Sequence, residues 1–123
     1  MSLNQSVLIC DQVNPILKEV LEKNGLKVTY EPEITPEQVA EKIGNFEVVV
    51  VRSRTKMTRE LTTKADKCKI IARVGIGLDN IDQDAAKEKN IRVINAVEGA
   101  ITAVAELVIG LICLLYTSPS PRD

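Results

Sequence analysis

The sequence predicts a single α/β domain built as a doubly wound parallel sheet. Five short apolar runs alternate with five amphipathic segments along 123 residues, which is the chain order of successive strand–helix units. The run Val48-Val49-Val50-Val51 has no polar residue in alternate positions, as expected of a parallel strand covered on both faces. The length suffices for one core of ordinary size and leaves no room for a second full domain.

Each element has its own signal. Residues 7–10 form the first strand. Asn14 then supplies an N-cap with Pro15 at the first helical position, Ile16, Leu17, Val20 and Leu21 mark one face, and Gly25 ends the helix. Residues 27–30 form the second strand. Thr35-Pro36-Glu37-Gln38 has capping-box spacing ahead of Val39, Ala40 and Ile43. The third strand spans 46–52 and the fourth 69–73; Thr58 and Asp82 cap the short helices after them, and Asn90 ends the second of these. A fifth strand covers 91–95. The final helix begins between Gly99 and Thr102, and Ile101, Val104, Ala105, Val108, Leu111 and Ile112 keep a helical period. Leu107 and Ile109 make that helix apolar nearly all round, so it calls for protein on every side. Right-handed crossovers between these units give a flavodoxin-like, Rossmann-like topology.

Sixteen basic and seventeen acidic residues leave a net charge of −1, which provides no broad positive field for nucleic acid. Any anion site is therefore local. Cys10, Cys68 and Cys113 are odd in number, far apart and unaccompanied by histidine, which argues against a disulfide framework or a zinc site and for a reducing, cytoplasmic setting. Cys10 and Cys68 are expected to pack as small hydrophobes. No secretory signal is read at the start, and the stretch 103–115 contains Glu106 and is too short for a membrane span.

The chemistry concentrates at two strand ends. Arg52-Ser53-Arg54-Thr55-Lys56 follows the third strand and Arg73-Val74-Gly75-Ile76-Gly77 follows the fourth; carboxyl ends of neighbouring parallel strands lie side by side, where α/β sheets bind ligands. Guanidinium groups, a hydroxyl and backbone N–H groups there form a small anion cradle for a carboxylate or phosphate. Arg52 and Arg73 are assigned to it, whereas Arg54 and Lys56 are read as solvated surface groups. Gly75 and Gly77 let backbone approach a ligand closely. A dinucleotide fingerprint requires a third glycine where this chain has Asn80. Asp79, Asn80 and Asp82 are read as helix-capping and turn-fixing residues; Asn95 either adds a donor to the site or closes a turn. Glu106, taken as buried in its apolar helix, should be paired or hydrogen-bonded. With no histidine, nucleophile elbow or phosphate loop, the chain can bind but does not assemble a general-base or triad mechanism.

Three motifs together, residues 48–58, 70–82 (Ile-Ile-Ala-Arg-Val-Gly-Ile-Gly-Leu-Asp-Asn-Ile-Asp) and 94–107, resemble the D-isomer-specific 2-hydroxyacid dehydrogenases, in particular their phosphoglycerate branch. The likeness runs from about residue 6 to 112. It implies a fragment, residues 1–98, of the substrate-binding domain, with a crossing helix at 99–112 that would lead into a separate NAD-binding domain. It also implies NAD-dependent oxidation of 3-phospho-D-glycerate to 3-phosphohydroxypyruvate in serine biosynthesis, a small anionic substrate, no nucleic-acid or membrane partner, and a homo-oligomeric parent. By position, Arg52, Ser53, Arg73, Gly75 and Gly77 resemble the substrate-binding groups; Ile76 and Val104 fall where relatives contact NAD. Ile76 stands where threonine or valine is usual, so no side-chain hydroxyl contact is expected there, and Ala100-Ile101 stands where Asn-Ser or Ser-Ser is common, so the resemblance does not carry over a polar contact near the cleft. The family's catalytic arginine, glutamate and histidine lie beyond this sequence, and the fragment alone is expected to be inactive.

The last eleven residues, 113–123, break the pattern: Cys-Leu-Leu-Tyr-Thr-Ser-Pro-Ser-Pro-Arg-Asp can be encoded by a transposase adapter used in sequencing libraries, and this tail is expected to be artefactual. The alternatives are a glyoxylate or hydroxypyruvate reductase of the same family, or a non-catalytic flavodoxin-like binding module. A signalling receiver would need an aspartate ending the third strand, where Val51-Arg52-Ser53 stands. Flavin stacking calls for aromatics, and Tyr30, Phe46 and Tyr116 are the only three.

Overall fold

The computed structural model describes residues 6–75, 77 and 79–117. Its elements run β1 (Ser6–Ile9), α1 (Ile16–Lys23), β2 (Lys27–Tyr30), α2 (Pro36–Lys42), β3 (Val48–Val51), α3 (Arg59–Thr63), β4 (Ile70–Val74), α4 (Gln83–Glu88), β5 (Arg92–Ala96) and α5 (Ile101–Thr117). Short 3-10 turns at Ile43–Asn45 and Glu98–Ala100 lead into β3 and α5.

The five strands are all parallel and lie in the order β2-β1-β3-β4-β5. This is the flavodoxin-like order. The chain winds outward from β1 to β2, then returns to the other side of β1 for β3, so the crevice where doubly wound sheets take ligands opens at the carboxyl ends of β1 and β3. Register places Val51 beside Arg73 and Arg73 beside Asn95, which sets the loops after β3, β4 and β5 next to one another.

Successive strand residues point to opposite faces, and the core divides accordingly. Val7, Ile9, Val48, Val50, Ile70, Ala72 and Val74 pack with α1 and α5. Leu8, Cys10, Val49, Val51 and Ile71 pack on the other face with residues of α2, α3 and α4. Strands buried on both faces are what the unbroken valine run predicts.

Helix ends follow their caps. At α1 the cap position falls on Pro15, one residue later than the Asn14 expected, although Asn14 Oδ1 still accepts from the Ile16 N–H at 3.0 Å; at α2 the Thr35 hydroxyl and Gln38 side chain exchange bonds with each other's backbone N–H groups. Thr58 and Asp82 accept from Leu61 and Ala85 N–H groups at the starts of α3 and α4. Asn90, at φ 59°, ends α4 in the left-handed region, and Gly25, at φ 92°, does the same after α1.

α5 departs from the expected cover on every side. Glu106 is exposed, not buried, because only one flank of α5 packs on the sheet and α1. Leu107 and Leu114 are also open to solvent, at 46% and 58%. The helix continues past Cys113 to Thr117. Among the described residues no helix is long and apolar enough to cross a membrane.

Candidate functional site

At the end of β1 the Cys10 N–H still reaches the Val50 carbonyl at 2.9 Å, and the next residue, Asp11, is held 2% exposed. A buried carboxylate must be met by donors, and the loop after β3 supplies them. Asp11 Oδ2 accepts from the Arg52 N–H at 2.6 Å and the Thr55 N–H at 3.1 Å. Oδ1 accepts from the Thr55 hydroxyl at 2.6 Å and lies 3.1 Å from Arg54 Nε. Arg54 further donates to the Cys10 and Ile34 carbonyls at 2.6 and 3.0 Å. It is exposed, as the sequence leads one to expect, with 49% of its side chain open to solvent, yet it also clamps the β1 end to the loop before α2. Arg52 directs Nη1 to the Gln12 carbonyl at 3.2 Å, while Ser53 and Lys56 are exposed.

Arg73, next to last in β4, lies on the face of α2, α3 and α4 and is only 8% exposed. Its Nε donates to Asn80 Oδ1 at 2.6 Å and its Nη1 to the Gly77 carbonyl at 2.9 Å. The guanidinium thus lies beneath the loop it supports. Gly75 and Gly77 have φ of 139° and 85°, values that only glycine adopts without strain. A Cβ on Gly75 would also stand 3.1 Å from Arg73 Nη1. Asn95, at the end of β5, donates to the Gly75 and Gly77 carbonyls at 3.1 and 2.8 Å, so it fastens the loop from the other side.

Asn80 joins the two loops. Its Oδ1 takes the Arg73 bond, and its Nδ2 donates to the Arg52 carbonyl and, at 2.6 Å, to the Thr55 carbonyl. An arginine can only donate and a carbonyl can only accept, so this arrangement fixes which way the amide is turned. Backbone pairing reinforces it: the Met57 N–H reaches the Asn80 carbonyl at 2.7 Å and the Asp82 N–H reaches Met57 at 2.8 Å, an isolated parallel bridge that centres on Met57 and Ile81. Asp82 caps α4 as expected, whereas Asn80 is a tie between loops and not a cap.

The structure therefore brings Arg52, Ser53, Arg73, Gly75 and Gly77 onto two adjoining, mutually bonded loops. Ile76 lies outside the described residues. Val104, expected near the cofactor, is 2% exposed in the core beneath the sheet. Asp11 and Asn80 escaped the sequence reading as site residues; the available signal for Asp11 was its place at the carboxyl end of a buried strand. Beside the loop after β3, a groove of about 590 Å³ runs between α2 and α3, lined by Ile34, Val39, Leu61, Lys56 and Lys64 among others. Among the described residues no group of acidic, cysteine or histidine side chains could hold a metal ion. Burial pushes the Cys10 and Cys68 thiols up to about 12, which marks both as packing groups and not nucleophiles.

Residues 7–119 match the family model for the catalytic domain of D-isomer specific 2-hydroxyacid dehydrogenase. The chain belongs to that family. Among curated members it is 44% identical over 105 residues to D-3-phosphoglycerate dehydrogenase of Methanocaldococcus jannaschii, covering 85% of this chain and 20% of that one. It is 35% identical over 116 residues to the Sus scrofa enzyme of the same name, covering 94% and 22%. Two solved structures align closely. A Pyrococcus horikoshii protein, PH0520, gives a TM-score of 0.73 at 30% identity over 94% of this chain and 34% of its own; 3-phosphoglycerate dehydrogenase of Entamoeba histolytica with NAD+ bound gives 0.71 at 32%, over 91% and 39%. This 2-hydroxyacid dehydrogenase chain thus spans about a fifth of these curated relatives and about a third of the solved ones.

Proposed function

We propose that this chain supplies the anion-binding half of an active-site cleft in a dehydrogenase that oxidises 3-phospho-D-glycerate to 3-phosphohydroxypyruvate. The observation that carries the reading is the joining of Arg52 and Arg73 through one side chain, Asn80, at the carboxyl ends of β3 and β4. Two guanidinium groups on one edge suit a substrate with two anionic ends. In this reading Arg52 and Ser53 meet one anionic end, and the backbone of Gly75 and Gly77 meets the other. Arg73 contributes its charge from beneath the glycine loop. The named relatives of the phosphoglycerate type support the substrate.

NAD is the proposed cofactor, and the chemistry it supplies when bound is hydride acceptance. The loop after β4 does not fit a dinucleotide pyrophosphate, because the third glycine position is Asn80 and its amide is committed to Arg73, Arg52 and Thr55. Residues 1–98 are accordingly assigned to the substrate-binding domain and 99–112 to a helix crossing toward a cofactor domain. The general base lies outside this chain, which contains no histidine. A homo-oligomeric parent and a cytoplasmic setting complete the reading, the latter suited to buried free thiols. Residues 113–123 are attributed to adapter sequence, and resequencing the gene from intact DNA tests that: a coding continuation of the same codons refutes it.

A second reading has its own support. The hydroxypyruvate reductase of Thermotoga maritima is 42% identical over 102 residues, covering 80% of this chain and 33% of that one. Titrating the chain with 3-phospho-D-glycerate and with glycolate separates the two. The phosphoglycerate reading expects the phosphorylated acid to bind at least about tenfold more tightly, the value of one extra charge-assisted contact. Equal affinity favours the reductase.

A further inference from the structure

Resting on the anion-cradle reading, we propose that Asp11 and Asn80 are positioning residues that together hold the loop 52–55 in its ligand-ready shape. Both peptide groups at each end of this loop are gripped from opposite sides. Arg52 and Thr55 donate their N–H groups to the one carboxylate of Asp11. The same two residues present their carbonyls to the one amide nitrogen of Asn80. Ser53 stands between the gripped residues and is exposed, as a group that meets a ligand must be.

The residue types are dictated by this role. A side chain with two acceptor oxygens suits two N–H groups, a hydroxyl and a guanidinium, which is the set converging on Asp11. Only an amide can donate twice to carbonyls and still accept from Arg73, which is the set at Asn80. Asp11 also sits at the β1 end, where the sheet order reverses between β1 and β3, so the grip lies at the switch point where this topology takes ligands. A loop held before the ligand arrives loses little conformational entropy on binding. Because Asn80 bonds the β3 loop and Arg73 at once, the spacing between the two cationic loops is fixed by a single side chain. That makes it a determinant of which anionic acid fits.

The test uses the full 123-residue chain and the near-isosteric variants Asp11→Asn and Asn80→Asp. Dissociation constants for 3-phospho-D-glycerate and inorganic phosphate are measured by calorimetry, well below the midpoint of thermal unfolding. The folded fraction of each variant is read by circular dichroism, so that affinity refers to folded molecules. Each variant is expected to weaken 3-phospho-D-glycerate binding about tenfold or more, the effect of one or two lost hydrogen bonds. The double variant is expected to lose less than the product of the two, since both grip one loop. Folded variants that bind like the wild type overturn the positioning role while leaving the cradle reading intact. A wild-type chain that takes up neither probe overturns the cradle reading, and the positioning role with it. If both substitutions unfold the chain, Thr55→Val, which removes only the hydroxyl bond to Asp11, must weaken binding in the folded state for the proposal to stand.

Discussion

Gly75 shows how narrowly a single position can be constrained. Its φ of 139° excludes a side chain without strain, and the space a Cβ would need is within 3.1 Å of the Arg73 guanidinium. Gly75→Ala should therefore destabilise the domain by about 1 to 3 kcal/mol, read as a lower urea midpoint at unchanged slope. An unchanged midpoint would show that the loop relaxes freely. Residue identity also explains where local reading fails. Asn80 has the composition of a turn residue, and Arg54 that of a surface cation; apart from the Arg73–Asn80 bond, their partners lie 20 to 44 positions away in sequence, and no local pattern encodes them. The same holds for Asp11, whose donors come from 41 and 44 residues downstream.

At the scale of elements, the signals were written locally and the structure follows them. The valine run of β3, the proline-capped starts of α1 and α2 and the left-handed ends at Gly25 and Asn90 lie where the residues place them, because capping and pleat alternation involve neighbours only. Thr35→Ala tests this directly. It removes one half of the capping box at α2 and should cost about 1 kcal/mol, measured by chemical denaturation; a cost near zero would mean that packing of Val39 and Ile43 alone holds the helix. α5 was harder to read. Its apolar circumference suggests cover on every side, but cover depends on what lies beside it, and here Glu106, Leu107 and Leu114 face outward. A residue pattern reports how apolar a helix is, not which flanks are occupied.

For the molecule as a whole, the two buried thiols tie stability to pH. Cys10 and Cys68 each have a folded value raised by burial from 9.0 to about 12. Between those values the unfolded chain has released protons that the native chain still holds, so unfolding is favoured as pH rises. Their contribution is complete below pH 9.0 and is lost toward about 12, at a slope of about 1.4 kcal/mol per pH unit for each thiol. Unfolding free energies measured from pH 8 upward should fall accordingly, and Cys10→Ala should flatten the decline. A stability that stays level across this window would contradict the burial of these groups.

The sheet order, the switch point at β1 and β3, and the Asn80 tie between Arg52 and Arg73 converge on one claim: the adjoining loops after β3 and β4 are where an anionic hydroxy acid docks. Amide chemical shifts followed residue by residue during titration with 3-phospho-D-glycerate test it most directly. The account predicts saturable shifts concentrated at Arg52, Ser53, Gly75 and Gly77, with Asn95 and Asn80 moving less. Shifts confined to the groove between α2 and α3, around Lys56 and Lys64, or none at all at saturating ligand, would contradict it.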